Sequence, residues 1–143
     1  MLKNVSPIIS PQLLKVLCEM GHGDEILLAD ANFPAESIGQ NNQIIRADGL
    51  GVVDLLNAIL PLFPLDQYTD KNFIVMGVEK QDAFTPEIWS EFEEVLATHE
   101  PNFKMTFMDR LDYYEYSKKV YAVIATGEKA QYANVILKKG VIY

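Results

Sequence analysis

The chain has 143 residues, of which 49% are hydrophobic and 22% charged, as is typical of one ordinary globular domain with a real core. Its formal net charge of −8, with scattered Lys and Arg, argues against binding to nucleic acid. No apolar stretch approaches the roughly 18 residues needed to cross a membrane, and the single cysteine excludes an intramolecular disulfide. We therefore expect a cytoplasmic protein that binds neither nucleic acid nor membrane.

Helical and strand-like segments alternate along the chain. Ser10 followed by Pro11 predicts the start of a helix, whose apolar spacing continues to about Met20 and places Cys18 on a buried stripe. The continuous apolar run 26–29 predicts a strand that is buried on both faces. The later segments are predicted as a loop over 30–42, a short strand at 44–45, a helix over 51–63, a strand over 73–78, a helix from 85 to about 96, a strand over 103–108, a helix or turn over 109–119, and strands over 121–125 and 135–137.

This alternation predicts the fold class. Helices between short, doubly apolar strands favour a three-layer α/β/α domain with a mostly parallel or mixed central sheet. No linker or internal repeat interrupts the chain, so we expect a single domain over residues 1–143. In such sheets, binding sites gather in the loops beyond the strand ends.

His22 is the strongest candidate for a catalytic group, since it lies between Gly21 and Gly23 in a chain with only two histidines. An imidazole can both give and take a proton near neutral pH, and the flanking glycines leave room for a substrate. An equal alternative is that His22 caps the preceding helix, with its ring bonded to the last carbonyls. The other histidine, His99, lies in the polar stretch THEPN and is predicted to be only solvated.

Acidic residues near His22 raise metal binding as a rival interpretation. Asp24, Glu25 and Asp30 would supply oxygen ligands beside the imidazole nitrogen. One histidine with loop carboxylates matches no established ligand spacing, so we predict no metal site. The chain also lacks glycine-rich phosphate-binding motifs and the serine elbow of hydrolases, so we predict no cofactor.

Four further residues have side chains suited to sugar hydroxyls. Asp30 ends an apolar strand and begins a loop, where it would either bind a ligand or cap the turn. Arg110 would either bind hydroxyls or pair with a neighbouring aspartate. Tyr132 and Asn134 are two positions apart, so in an extended segment they point to the same face. Polyol recognition and a polar strand edge would both use such a pair.

Three longer stretches resemble a known family. They are SPIISPQLLKVLCEMGHGDEILLADANFPA near the start, IRADGLGVVDLLNAILPLF in the middle, and ATGEKAQYANVILKKGV near the end. The pattern G-H-x-D … D-A-x-x-P, joined to Y-x-N-x-I-L-x-x-G, is far more specific than a lone histidine. The chain resembles the L-fucose mutarotase branch of the family that also contains the D-ribose pyranases. The resemblance covers nearly the whole chain and is weakest across 66–105.

The resemblance implies an enzyme that interconverts the α and β anomers of a free sugar without a cofactor. It implies that His22 is the catalytic acid/base group, with Tyr132 or a water as its partner. The sugar-contacting positions that it implies are Asp30, Arg110, Tyr132, Ala133 and Asn134. Because a histidine stands near the arginine position in the ribose-type branch, Arg110 favours L-fucose, with D-ribose as a related candidate. A homo-oligomer, commonly a decamer, with active sites between neighbouring subunits is also implied.

Two questions remain open at the level of sequence. If the stretch between His22 and Asp30 were fully extended, at about 3.3 Å per residue, the two would lie about 25 Å apart. A shared pocket then needs either a folded-back loop over 21–24 or residues from two subunits. The function is also open, because a non-catalytic sugar-binding module and a metal-dependent isomerase or hydrolase around His22 compete with the mutarotase.

Overall fold

One mixed sheet of six strands organises the chain, and the computed structural model describes all 143 residues. The helices are α1 (Pro11–Glu19), α2 (Ala35–Ile38), α3 (Val52–Ile59), α4 (Ile88–His99) and α5 (Arg110–Ser117). The strands are β1 (Glu25–Ala29), β2 (Gln43–Ala47), β3 (Phe73–Met76), β4 (Met105–Met108), β5 (Ala122–Thr126) and β6 (Val135–Lys138). Their order across the sheet is β2-β5-β1-β6-β3-β4. None of the helices is both long and apolar enough to cross a membrane.

The direction of β6 decides what lies at each edge of the sheet. The pairs β1–β5, β2–β5 and β3–β4 are parallel, whereas β6 runs antiparallel between β1 and β3. The start of β6 therefore lies beside the ends of β1 and β3, and its end lies beside their starts. We call the edge where β1 and β3 end the carboxyl edge of the sheet, and the edge where they start the amino edge.

Side chains of the strands alternate between two hydrophobic cores, one on each face of the sheet. Leu28 of β1 belongs to the larger core, which it shares with α1, α3 and α4. Its neighbour Leu27 belongs to the smaller core, which includes Ala35 of α2 and Tyr113 of α5. The predicted three-layer α/β/α arrangement is therefore confirmed, with a mixed sheet in the middle layer.

The first helix begins as predicted, but its cysteine is not in the core. Ser10 Oγ accepts a hydrogen bond from the N–H of Leu13 at 3.1 Å, and Pro11 occupies the first helical position. The buried stripe runs through Leu13, Val16 and Leu17, whereas Cys18 is exposed. Successive residues are turned by roughly 100° around a helix, so Cys18 points away from the buried stripe to which Leu17 belongs.

The prediction of a loop over 30–42 and the predicted end of the helix over 51–63 are also wrong. The segment 30–42, predicted as a loop, contains α2, a helix of 4 residues that is too short to show a periodic pattern and is held by the burial of Ala35. The helix predicted over 51–63 ends at Ile59. Pro61 explains this end, since its ring nitrogen cannot donate the next helical hydrogen bond.

We expect the Asn72→Ala substitution to destabilise the fold strongly. The fully buried Asn72 side chain donates to the carbonyl oxygen of Asp66 at 3.0 Å and accepts from the N–H of Lys104 at 2.7 Å. Alanine leaves both backbone groups unpaired, which should lower the free energy of unfolding in urea by about 2–4 kcal/mol. Asn102→Ala, at an exposed position, is the control, and an equally small effect at both positions would contradict this role for Asn72.

Candidate functional site

His22 stands on a tight turn at the amino edge of the sheet. The turn is closed by the N–H of Gly21, which donates to the carboxylate of Asp24 at 2.8 Å. Gly23 has a φ of 87°, a left-handed conformation that glycine adopts without strain, and its N–H donates to the carbonyl of Lys139 at 2.8 Å. The turn is therefore tied to the end of β6 and leaves the His22 side chain 46% exposed.

Asp66 holds the imidazole of His22 in place. The Nε2 atom of His22 lies 3.0 Å from Oδ1 of Asp66, a side chain that is only 5% exposed. The N–H of Tyr68 donates to the same oxygen at 3.1 Å, and the Tyr68 ring packs at 5.6 Å from the imidazole. His22 therefore does not cap α1, whose last turn is closed by a backbone bond from Met20.

Opposing influences act on the carboxyl of Asp66. Burial is the largest and would raise its pKa, but it is outweighed by the hydrogen bonds from Tyr68 and His22. Electrostatic attraction to His22 and Lys138 acts in the same direction as these bonds, so the pKa of Asp66 is lowered from its ordinary 3.8. Asp66 is therefore ionised at neutral pH and accepts hydrogen bonds only. It follows that Nε2 of His22 carries the proton in the Asp66 contact and that Nδ1 is the nitrogen left for other partners.

The carboxyl edge holds a second, buried polar pair. The N–H of Asp30 donates to Oδ1 of Asn134 at 2.7 Å, and Nδ2 of Asn134 donates back to the Asp30 carboxylate at 2.9 Å. The other Asp30 oxygen accepts from the N–H of Asn32 at 3.0 Å. Burial raises the pKa of Asp30 from its ordinary 3.8, against these hydrogen bonds. The pair joins the end of β1 to the start of β6.

Most of the predicted sugar-contacting residues line one cavity of about 220 Å³ at this edge. The lining residues are Asp30, Asn32, Phe33, Met76, Asp82, Arg110, Tyr114, Gln131, Tyr132 and Asn134. Ala133 is the exception, because its side chain is fully buried in the larger core. The structure thus places four of the five predicted residues, Asp30, Arg110, Tyr132 and Asn134, around one cavity.

Arg110 and Tyr132 are held by the segment between β3 and α4. Arg110 donates from Nε to the Glu79 carboxylate rather than to a neighbouring aspartate, and its guanidinium lies 5.6 Å from the centre of the Tyr114 ring. Tyr132 donates its hydroxyl proton to Asp82, and the N–H of Glu79 donates to the same hydroxyl at 3.2 Å. Its backbone has a φ of 57°, which is uncommon for a residue with a side chain.

His22 and the cavity of the same chain lie at opposite edges of the sheet. The 5 residues of β1 lie between them and span about 16 Å at roughly 3.3 Å per residue. The folded-back loop considered from the sequence does not occur, because the turn over 21–24 is tied to Lys139 at the amino edge. A site that uses both His22 and Asp30 therefore needs two copies of the chain.

A larger cleft of about 750 Å³ adjoins the cavity and shares Gln131 with it. Its lining includes four acidic side chains, Asp54, Glu87, Glu91 and Glu128, and no basic one. Glu128 is already occupied, since it accepts from the N–H groups of Val52 and Ala130 at 3.1 and 3.0 Å. No group of three or more His, Cys, Asp and Glu side chains is placed to hold a metal ion.

Comparison with known proteins identifies the family. The sequence model of the RbsD / FucU transport protein family matches residues 3–142. The chain belongs to the RbsD/FucU family. FucU from Bifidobacterium longum is 47% identical, with a TM-score of 0.96 over 99% of this chain and 100% of that one. The fucose mutarotase from Streptococcus pneumoniae, solved in complex with L-fucose, is 49% identical, with a TM-score of 0.94 over the same shares. RbsD from Bacillus subtilis, solved with D-ribose, shares the fold, at 24% identity and a TM-score of 0.75 over 100% of both chains.

Sequence reasoning missed several residues of this RbsD/FucU chain that the structure places at the two edges. Asp66, Glu79 and Asp82 lie in the region 66–105, where no motif singled them out. Asp66 is 44 positions from His22, and Asp82 is 50 positions from Tyr132. No local spacing could have revealed such pairs, because only the sheet brings them together.

The lowered pKa of Asp66 predicts a specific pH dependence of stability. A carboxyl with a depressed pKa stabilises the fold above its ordinary value of 3.8, and this contribution is lost as the pH falls through the lowered value. We expect Asp66→Asn to be destabilised at neutral pH and the difference from the wild type to shrink as the pH falls below 3.8. Urea denaturation at a series of pH values measures this. Asp70→Asn, at a fully exposed position, should show no such trend, and a difference for Asp66→Asn that stays constant with pH would contradict the assignment.

Proposed function

We propose that this chain is an L-fucose mutarotase, an isomerase that interconverts the α and β anomers of free L-fucose in the cytoplasm by acid/base ring opening and closure. Related sugars such as D-ribose are further candidate substrates. The proposal treats residues 1–143 as one catalytic domain and requires neither a metal nor a cofactor.

One observation carries the proposal. In a chain 49% identical to a fucose mutarotase solved with L-fucose, Asp30, Tyr132 and Asn134 converge on one small polar cavity. Its volume of about 220 Å³ is below the roughly 300–1,000 Å³ of sites for drug-sized ligands, as a monosaccharide requires. Carboxylate, amide, phenol and the guanidinium of Arg110 together offer the donors and acceptors that a polyol needs.

His22 would supply the proton chemistry. With Nε2 committed to Asp66, Nδ1 is free to accept the proton of the anomeric hydroxyl. A second proton, delivered to the ring oxygen by a water molecule because the Tyr132 hydroxyl already donates to Asp82, lets the bond to the anomeric carbon break and gives the open aldehyde. Rotation about the bond between the first two carbons, followed by ring closure on the other face, produces the opposite anomer. The same two proton transfers run in reverse on closure, so the protein is unchanged at the end.

This chemistry requires that His22 of one copy meets the cavity of another. The amino edge around His22 supports such a contact, because it exposes large apolar side chains. Tyr68 is 70% exposed, Ile142 82% and Tyr143 96%, and the two tyrosine hydroxyls lie 2.7 Å apart. Apolar and aromatic groups of this kind are enriched at protein interfaces. We therefore include in the proposal a homo-oligomer with each site formed between neighbouring subunits, and we take the decamer from the family resemblance.

The His22→Ala substitution should lower the rate of L-fucose anomer exchange by about 10²–10⁴-fold, as expected for loss of one general acid/base group. Exchange NMR measures the rate, and the wild type should keep its activity in EDTA. His99→Ala is the matched control, since His99 contacts only Asn57 at the surface. An unchanged rate in His22→Ala would overturn the assignment, and sugar binding without any exchange in the wild type would favour the non-catalytic sugar-binding module.

A site shared between subunits predicts complementation. His22→Ala removes the proton carrier from one side of each site, and Asp30→Asn alters the cavity on the other side. Each variant alone should have low activity, whereas co-expressed chains should recover activity, with about a quarter of the sites intact for random mixing. Differently tagged copies allow purification of the mixed oligomers. Mixed oligomers that form and yet show no recovery would contradict a site built from two copies.

A further inference from the structure

The segment 77–87, between β3 and α4, controls the hydroxyl of Tyr132. Asp82 accepts the hydroxyl proton, and the N–H of Glu79 donates to the oxygen at 3.2 Å. Phe84 packs against the Tyr132 ring with the ring centres 6.0 Å apart. At the start of α4, the indole N–H of Trp89 donates to the Tyr132 carbonyl at 2.9 Å.

Counting hydrogen bonds shows what remains available on the phenol. A tyrosine hydroxyl has one proton to donate, and its oxygen can also accept. The proton is already committed to Asp82, so the oxygen, which accepts from the N–H of Glu79, can only accept a hydrogen bond from a ligand. The hydrogen bond to Asp82 also raises the pKa of the Tyr132 phenol above its ordinary value of 10, so the phenol is neutral at physiological pH.

We propose that Asp82 is a positioning residue that makes Tyr132 a hydrogen-bond acceptor toward the sugar. This inference rests on the proposed function and adds a rule of recognition to it: the sugar group opposite Tyr132 must be a hydroxyl that donates its proton. An ether oxygen, a carbonyl or a fluorine at that place would meet an oxygen with no proton to offer. The carboxylate thus acts on the substrate through the tyrosine.

A double-mutant cycle tests this route of action. L-fucose affinity is measured by titration for the wild type, Asp82→Ala, Tyr132→Phe and the double variant. Each single substitution should weaken binding by roughly 2- to 10-fold, as for one neutral hydrogen bond, and the double variant should be no weaker than Tyr132→Phe. Asp112→Asn removes an exposed carboxylate from the same edge without contacting Tyr132 and should bind like the wild type.

Single-position deoxy and deoxyfluoro L-fucoses test the polarity directly, because fluorine accepts a hydrogen bond weakly and cannot donate one. At one sugar position, both analogues should lose affinity equally for the wild type. In Asp82→Ala the O–H of Tyr132 loses its acceptor and can donate to the ligand, so the deoxyfluoro sugar should bind better than the deoxy sugar. Circular dichroism and oligomer size identify variants that have lost their fold.

The outcomes separate this inference from the proposed function. A wild type that neither binds L-fucose nor speeds anomer exchange would overturn the proposed function. An active wild type in which the Asp82→Ala effect persists in the Tyr132→Phe background would overturn this inference alone, since Asp82 would then act without the tyrosine. A fluorinated analogue that already binds the wild type better than its deoxy counterpart at every position would also overturn it.

Discussion

The antiparallel placement of β6 between β1 and β3 is the constraint on which the rest of the structure depends. It brings Asn134, at the start of β6, against Asp30, at the end of β1, where each side chain satisfies polar groups of the other residue. It also brings Lys139, after the end of β6, against the turn that carries His22. If β6 ran parallel to β1, its start would lie beside the start of β1, and Asn134 would be at the opposite edge of the sheet from Asp30. One strand thus fixes the position of polar groups at both edges of the sheet.

The same arrangement separates the two halves of the proposed site. The buried pair and the cavity lie at the carboxyl edge, whereas the histidine with its aspartate lies at the amino edge, beyond the length of β1. Each half is held in place within its own chain, because Asp66 accepts from the N–H of Tyr68 and Asp30 accepts from the N–H of Asn32. A rigid sheet cannot bring its own edges together. Association of copies is therefore the physical means by which such halves can meet, and the exposed aromatic groups near His22 provide a surface for it.

Carboxylates organise both edges without forming a metal site. Asp66 orients the imidazole of His22, Glu79 holds the guanidinium of Arg110, and Asp82 accepts a hydrogen bond from the phenol of Tyr132. Each carboxylate accepts a hydrogen bond from the side chain that it holds, and Asp66 also accepts from the N–H of Tyr68. Some of the acidic residues of this chain therefore form specific hydrogen bonds with the candidate site residues His22, Arg110 and Tyr132.

The sequence by itself determined the alternation of elements, because apolar runs and helical spacing are local properties. The start of α1 at Ser10 and Pro11 and the buried strand β1 follow from patterns a few residues long. The identity of His22, Asp30, Arg110, Tyr132 and Asn134 as candidates came from their side-chain chemistry and from motif resemblance. Short-range patterns failed where burial decided the outcome, as for α2 and Cys18.

Only the tertiary structure decided which candidates lie together. The partnerships of His22 with Asp66 and of Tyr132 with Asp82 cross 44 and 50 residues, and no spacing rule specifies such contacts. The separation of His22 from Asp30 likewise depends on β1 being a straight central strand whose flanking turn is tied to Lys139. The physical reason is that a β-sheet converts the order and direction of strands into position. Residues close in the chain can then lie at opposite edges, while distant ones share a cavity.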